Sequence, residues 1–263
     1  MGQYLRSSLL LFGSFAFGYN VTTLLHELGH MLALWADGGK LDRIVLHPFS
    51  WSYTYFASAS HHQGIMTAAG PLFGALAGLV LVGLVYRRRN AWLVPLLVAG
   101  VCSIVGNGTY LCIDCIMQAG GDATSLVGMG APWSVVFYTA LLILLTGLGV
   151  SFVLPARVGI GSDHGLLMRI AVLYSGIGTY FVCMFMHNLF LDRDAMVFWL
   201  VYSLVFMAVL TVMAALSVRL KSRPAPQEKT TAPFPNWPAT LFALLLGLGT
   251  VAIELLLYQW RAH

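Results

Sequence analysis

Charge is what this chain has least of. Only 9% of its 263 residues are Asp, Glu, Lys or Arg, against 59% hydrophobic residues and a mean hydropathy of +0.80. A soluble globule carries about a quarter charged residues, so a soluble fold is excluded and the chain reads as an all-α polytopic membrane protein. Cysteine is scarce as well: four residues, scattered or within apolar spans, give no secreted disulfide framework. The basic residues sit at segment ends, and no basic aromatic surface exists, which excludes nucleic acid as a partner. A single arginine, Arg6, precedes a long apolar stretch in the manner of a signal peptide. That stretch is too long for one and carries ionisable residues, so the expectation is a retained first helix.

Hydropathy and length predict about seven transmembrane helices of roughly 20 residues or more. They fall at 7–36, 64–86, 91–117, 131–154, 166–191, 195–220 and 239–258. The first overshoots a bilayer at about 1.5 Å per residue, so it must tilt, break or project. The expected organisation is a three-helix core over 1–130, three further spans over 131–221, a flexible Pro, Lys and Gln-rich linker over 222–238, and a last span with its tail over 239–263. With the amino end inside, ten of the 14 basic residues (Arg6, Arg87, Arg88, Arg89, Arg157, Arg169, Arg219, Lys221, Arg223 and Lys229) fall on the cytoplasmic side. Only Lys40, Arg43, Arg193 and Arg261 fall outside, which fits the positive-inside rule. The plasma membrane is the expected location.

Between the first two spans, residues 40–56 hold two β-prone runs, Ile44 to Leu46 and Tyr53 to Phe56, separated by Pro48 and Ser50. They predict a small membrane-associated β-hairpin or sheet, whose open edge would suit an extended peptide. An interfacial loop anchored by Trp51, Tyr53 and Tyr55 is the competing expectation.

The chemistry concentrates in His26-Glu27-Leu28-Gly29-His30. On a helix the two histidines are one turn apart and reach toward one point, with Glu27 one residue round from the first. That is the spacing of two zinc ligands and a general base. Such residues are expensive at membrane depth unless something coordinates or pairs them. A third ligand must come from elsewhere, and Asp122, Asp114 and His187 all fall toward the same side of the membrane. Gly120 and Gly121 before Asp122 would allow close backbone approach, which favours it.

These residues, followed by Ala68-Ala69-Gly70-Pro71-Leu72 opening the second span and Gly121-Asp122 after the third, resemble the site-2 protease (M50) family of intramembrane zinc metallopeptidases. The resemblance spans roughly residues 20–128. It implies His26 and His30 as zinc ligands, Glu27 as catalytic base, Asp122 (less strongly Asp114) as third ligand, and Asn107 as a substrate-positioning residue. It implies Zn2+ as cofactor, the bilayer as setting, and as partner a membrane protein substrate with a transmembrane segment. The family's usual Leu-Asp-Gly is not reproduced, because Asp122 precedes Ala123 and Asp114 stands between Ile113 and Cys115.

Each other feature has a blander account. Gly70, Gly74 and Gly78, spaced by four, suit close helix packing. Cys112 and Cys115 lack a second pair to complete a metal site and read as packing. His187-Asn188 reads as an interhelical contact and His61-His62 as interfacial. The leading function is a zinc-dependent intramembrane endopeptidase. A catalytically inactive membrane adaptor or chaperone on the same fold is the alternative, and a transporter is disfavoured because later spans offer almost no ionisable group besides Glu254.

Overall fold

No proline precedes Pro48, and the apolar run before it forms one uninterrupted helix, α1 (Gly2–Ala36), of 35 residues. At about 1.5 Å per residue it is about 52 Å long, well beyond a hydrocarbon core of about 30 Å. It stops where Gly38 takes a left-handed φ of 73° and the Gly39 amide donates to the Leu34 carbonyl at 2.9 Å. The computed structural model describes residues 2–50, 52–57, 62–88, 90–160, 164–191, 193–219 and 235–261. Residues 222–234 of the expected linker lie outside them, as do Trp51, His61, Arg89, Lys221, Arg223 and Lys229.

Two antiparallel strands follow, β1 (Leu41–Val45) and β2 (Tyr53–Phe56). Ile44 faces Thr54 and Val45 faces Tyr53 across the pair. Next come α2 (Gln63–Val85), α3 (Val94–Met117), a short α4 (Asp122–Gly128), α5 (Trp133–Ser151), a single turn α6 (Leu154–Arg157), α7 (Leu166–Leu173), α8 (Thr179–Leu191), α9 (Arg193–Arg219) and α10 (Trp237–Arg261). Six described helices are long and apolar enough to cross a membrane. The helix at the sixth expected span, α9, has a shorter apolar described stretch, Met196–Val209. The chain is thus an all-α polytopic membrane protein with a two-stranded hairpin between its first two helices.

Three local departures from the expected boundaries have physical causes. The expected loop at 118–130 contains α4. The fifth span is interrupted by a wide π-turn, Tyr174–Gly178, where Gly176 packs so closely on Leu11 and Ser8 of α1 that a Cβ would overlap them. The last helix begins at Trp237 rather than 239, because the Asn236 side chain accepts the Ala239 amide at 2.9 Å and Pro238 suits a first turn.

Around α1 lie α2, α3 and α10, and α3 is buried along most of its length between α1, α2 and α5. The contacts are made by small residues. Gly78 of α2 meets Gly100 of α3, Gly147 of α5 meets Val105, and Gly247 of α10 meets Gly13 of α1. Without a hydrophobic drive between helices in lipid, such close backbone approach supplies the association. The basic ends gather at one end of the bundle: Arg157 donates to the carbonyls of Tyr86 and Arg88, Ser7 donates to the Val158 carbonyl at 2.6 Å, and Arg6 stacks over Trp237.

A Cβ at Gly247 overlaps the Gly13 carbonyl, whereas one at Gly249 meets open space. Gly247→Leu is therefore expected to destabilise the detergent-solubilised protein by about 1–3 kcal/mol, and Gly249→Leu by less than about 0.5 kcal/mol. Thermal unfolding of the two variants beside the wild type checks this, and equal effects would contradict the α1–α10 seam.

Candidate metal centre

The site is built at the end of α1 away from the basic cluster. His26 and His30 stand one turn apart on α1, and their Nε2 atoms are 3.1 Å from each other. The Asp122 carboxylate arrives from the first turn of α4, with Oδ2 2.9 Å from His26 Nε2 and 3.5 Å from His30 Nε2. Among the described residues these three are the group of His, Cys, Asp and Glu side chains arranged to hold a metal ion.

The proton positions follow from the partners. His30 Nδ1 lies 2.8 Å from the Met66 carbonyl, which only accepts, so Nδ1 carries the hydrogen. Asn107 donates through Nδ2 to the Ser103 carbonyl at 2.7 Å, which leaves its Oδ1, 2.7 Å from His26 Nδ1, as an acceptor. Neutral imidazoles held in this way direct both Nε2 lone pairs at each other and at Asp122 Oδ2. That oxygen is buried and makes no hydrogen bond. Three acceptors converge with no hydrogen between them, an arrangement that a cation relieves. Donors at about 2.0–2.1 Å from a tetrahedral zinc stand about 3.3 Å apart, and the three observed separations bracket that value. Where the rings instead carry a proton at Nε2, they donate to the Asp122 carboxylate, and those hydrogen bonds outweigh burial and hold its carboxyl below the usual carboxylate range. It faces the imidazoles as an anion at neutral pH.

Asp114 has a different task. Its buried carboxylate accepts the Gly121 amide at 2.9 Å, the Thr124 amide at 3.0 Å and the Thr124 hydroxyl at 2.9 Å. It thereby satisfies the amino end of α4, which is why the expected loop becomes a helix, and it fixes the turn that presents Asp122. The Tyr110 hydroxyl accepts the Asp122 amide at 3.1 Å, and its ring meets the His26 ring edge-on. The chain passes this point through Gly120, at a φ of 86°.

The glycine stripe of α2 packs on the same centre. A Cβ at Gly70 would overlap the His30 imidazole, and one at Gly74 the Asn107 amide. One residue on, Pro71 lies inside α2 and has no N–H for the carbonyl of Thr67, which lines the cavity before the site. Glu27 is buried beside the histidines, its Oε2 accepting the Thr54 hydroxyl of β2 at 2.6 Å. The cavity itself encloses about 680 Å³ and is walled by His26, Glu27, His30, Asp122, Tyr110 and residues of β2.

His187, also considered for a ligand, lies against His47 and Phe49 instead, while Asn188 donates to the Phe49 carbonyl at 2.6 Å. Cys112 and Cys115 are buried free thiols, with Cys115 beside the Trp133 carbonyl. Asn107, for which the resemblance implies contact with substrate, has both ends of its amide engaged by His26 and Ser103. Thr54 and Tyr110 were not singled out in the sequence. Strand alternation puts Thr54 on the face opposite Tyr53 and Tyr55, and Tyr110 follows Asn107 by three helical positions, so both carried a signal of a kind.

Fold and site together define a membrane-embedded centre of two histidines and an aspartate. Residues 16–106 match the Peptidase M50B-like family, a stretch that includes His26, Glu27, His30 and Gly70 and ends before Asn107, Asp114 and Asp122. No curated protein and no solved structure matches the chain.

Asn107→Ala removes the acceptor that orients His26 and is expected to weaken the affinity of the triad for an added divalent metal ion by about 10–100-fold. Asp114→Ala is expected to weaken it too, through loss of the Asp122 turn, with increased exchange of the 120–124 amides. Zinc competition titration and hydrogen exchange measure both, and an Asp114 variant with wild-type affinity and exchange would contradict the assigned task.

Proposed function

We propose that the chain is a zinc-dependent intramembrane endopeptidase. The observation that carries this reading is the convergence of His26 Nε2, His30 Nε2 and Asp122 Oδ2, with no hydrogen bond at Asp122 Oδ2, on the wall of a cavity that also holds Glu27. The match over residues 16–106 supports it.

His26, His30 and Asp122 would hold the zinc. When bound there, zinc polarises a peptide carbonyl and lowers the pKa of a water molecule. Glu27, next to the first ligand, accepts the water's proton as general base and passes it to the departing amine. The Thr54 hydroxyl fixes one carboxylate oxygen of Glu27, leaving the other to receive the proton. Asn107 and the Met66 carbonyl keep both imidazoles in the tautomer that presents Nε2. Tyr110 and Asp114 hold the Asp122 turn.

The substrate is a transmembrane or membrane-proximal segment of another membrane protein. A helix conceals its carbonyls in its own hydrogen bonds, so the segment must unwind before attack. The strand β2 borders the cavity through Tyr53, Thr54 and Phe56, and its outer edge offers main-chain partners to an extended peptide.

The test combines metal content with cleavage. Wild type and Glu27→Gln are expected to hold about one zinc per chain, while His26→Ala and Asp122→Ala lose it. Reconstituted in vesicles with a library of single-span substrates, only the wild type is expected to cleave, with Glu27→Gln reduced by at least about 100-fold. Zinc retained without any cleavage by the wild type would point to the adaptor reading, and absence of zinc after reconstitution would remove the metal reading itself.

A further inference from the structure

The large cavity has a small companion deeper in the bundle. It measures about 80 Å³, against about 680 Å³ for the outer one, and the two share His26, Glu27, Ser52 and Tyr110 in their walls. From those shared residues the chamber runs back along α1: Thr22 and Thr23 stand one turn before the His26–Glu27 pair, and Tyr19 two turns. Gly106 and Asn107 of α3 close one side, Trp199 and Tyr202 of α9 another. Gly106 sets the depth. A Cβ there would stand 3.2 Å from the Tyr202 hydroxyl and 3.4 Å from Thr22 Cγ2.

We propose that this chamber is the subsite for the substrate side chain beside the scissile bond, and that it selects an uncharged aliphatic residue of roughly three or four side-chain carbons. The proposal rests on the peptidase reading. An extended peptide drawn across His26 and Glu27 points successive side chains to opposite sides. Those on one side enter the broad outer cavity. A side chain on the other side has this chamber to enter.

Size and polarity then decide which side chain enters. A cavity of about 80 Å³ takes roughly five water-sized groups, enough for an isopropyl or isobutyl group and too little for an indole or a phenol. Trp199 and Tyr202 line it, and because the Thr22 and Thr23 hydroxyls donate to the Gly18 and Tyr19 carbonyls, the threonine methyls are left for apolar contact. A charged side chain would surrender its hydration there. The anion on the wall, Glu27, is held by Thr54 and is needed for proton transfer.

The chamber can be tested without a known substrate, using the full chain in detergent, loaded with zinc. The probes are hydroxamates that share one chelating group and differ in one α-substituent: hydrogen, methyl, isopropyl, isobutyl, benzyl or 4-aminobutyl. Calorimetric affinity is expected to rise to isopropyl or isobutyl and to fall at least about tenfold for benzyl and 4-aminobutyl. Gly106→Ala and, separately, Thr22→Leu are expected to erase the advantage of isobutyl over methyl while zinc content stays at the wild-type level. Trp199→Leu is expected to improve benzyl binding at least about tenfold. Equal affinity across the series, or a preference that Gly106→Ala and Thr22→Leu both leave unchanged, overturns the subsite while leaving the peptidase reading in place. Failure of the unsubstituted hydroxamate to bind a wild-type protein that holds zinc overturns the peptidase reading, and the subsite with it.

Discussion

Three lone pairs aimed at one point inside a membrane protein are the constraint on which the rest of the structure depends. Unpaired polar groups at that depth are expensive, and every element near the site serves to keep these three together and supplied with partners. The helix α1 runs without a break through the level of both imidazoles. Asn107 Oδ1 and the Met66 carbonyl accept hydrogen bonds from the two Nδ1 atoms, which leaves the Nε2 atoms to face Asp122. The Asp114 carboxylate, far from being a spare acid, is consumed by the amides of Gly121 and Thr124, and that consumption turns a loop into the short helix carrying Asp122.

The small residues of α2 show how packing and chemistry use the same positions. Gly70, Gly74 and Gly78 form one stripe, and each meets a different neighbour: the ligand His30, the orienting Asn107, and Gly100 of α3. Close approach along this seam lets α2 lean on the back of the metal centre rather than merely beside it. A larger side chain at either of the first two positions would displace a donor or its orienting partner, so the seam determines the register of the ligands as well as the stability of the bundle.

Much of this was legible in the sequence, for reasons that differ by residue. Hydropathy located the long helices because a membrane span must be apolar over its whole length, and β-prone runs located the hairpin. The pairing of His26 with His30 follows from helical periodicity alone. Asp122 and Asp114 could not be separated by spacing, since their roles depend on how one short turn distributes its amides. The Thr54–Glu27 bond joins residues 27 positions apart in sequence through a hairpin whose docking on α1 is a tertiary fact. The π-turn at Tyr174–Gly178 left no hydropathy signal, because it arises from where Gly176 meets α1 and not from the composition of its own segment.

The acidic donor of the centre lies on α4, beyond the third long helix, while both imidazoles lie on the first. A ribosome inserting this chain therefore delivers two histidines into the bilayer long before their carboxylate exists. Until Asp122 has emerged and the turn around Asp114 has closed, the growing chain carries an incomplete donor set with weak hold on any ion. Any metal this centre takes up would in this sense be taken up late in biogenesis, and its binding would record that the first four helices have met in the correct arrangement.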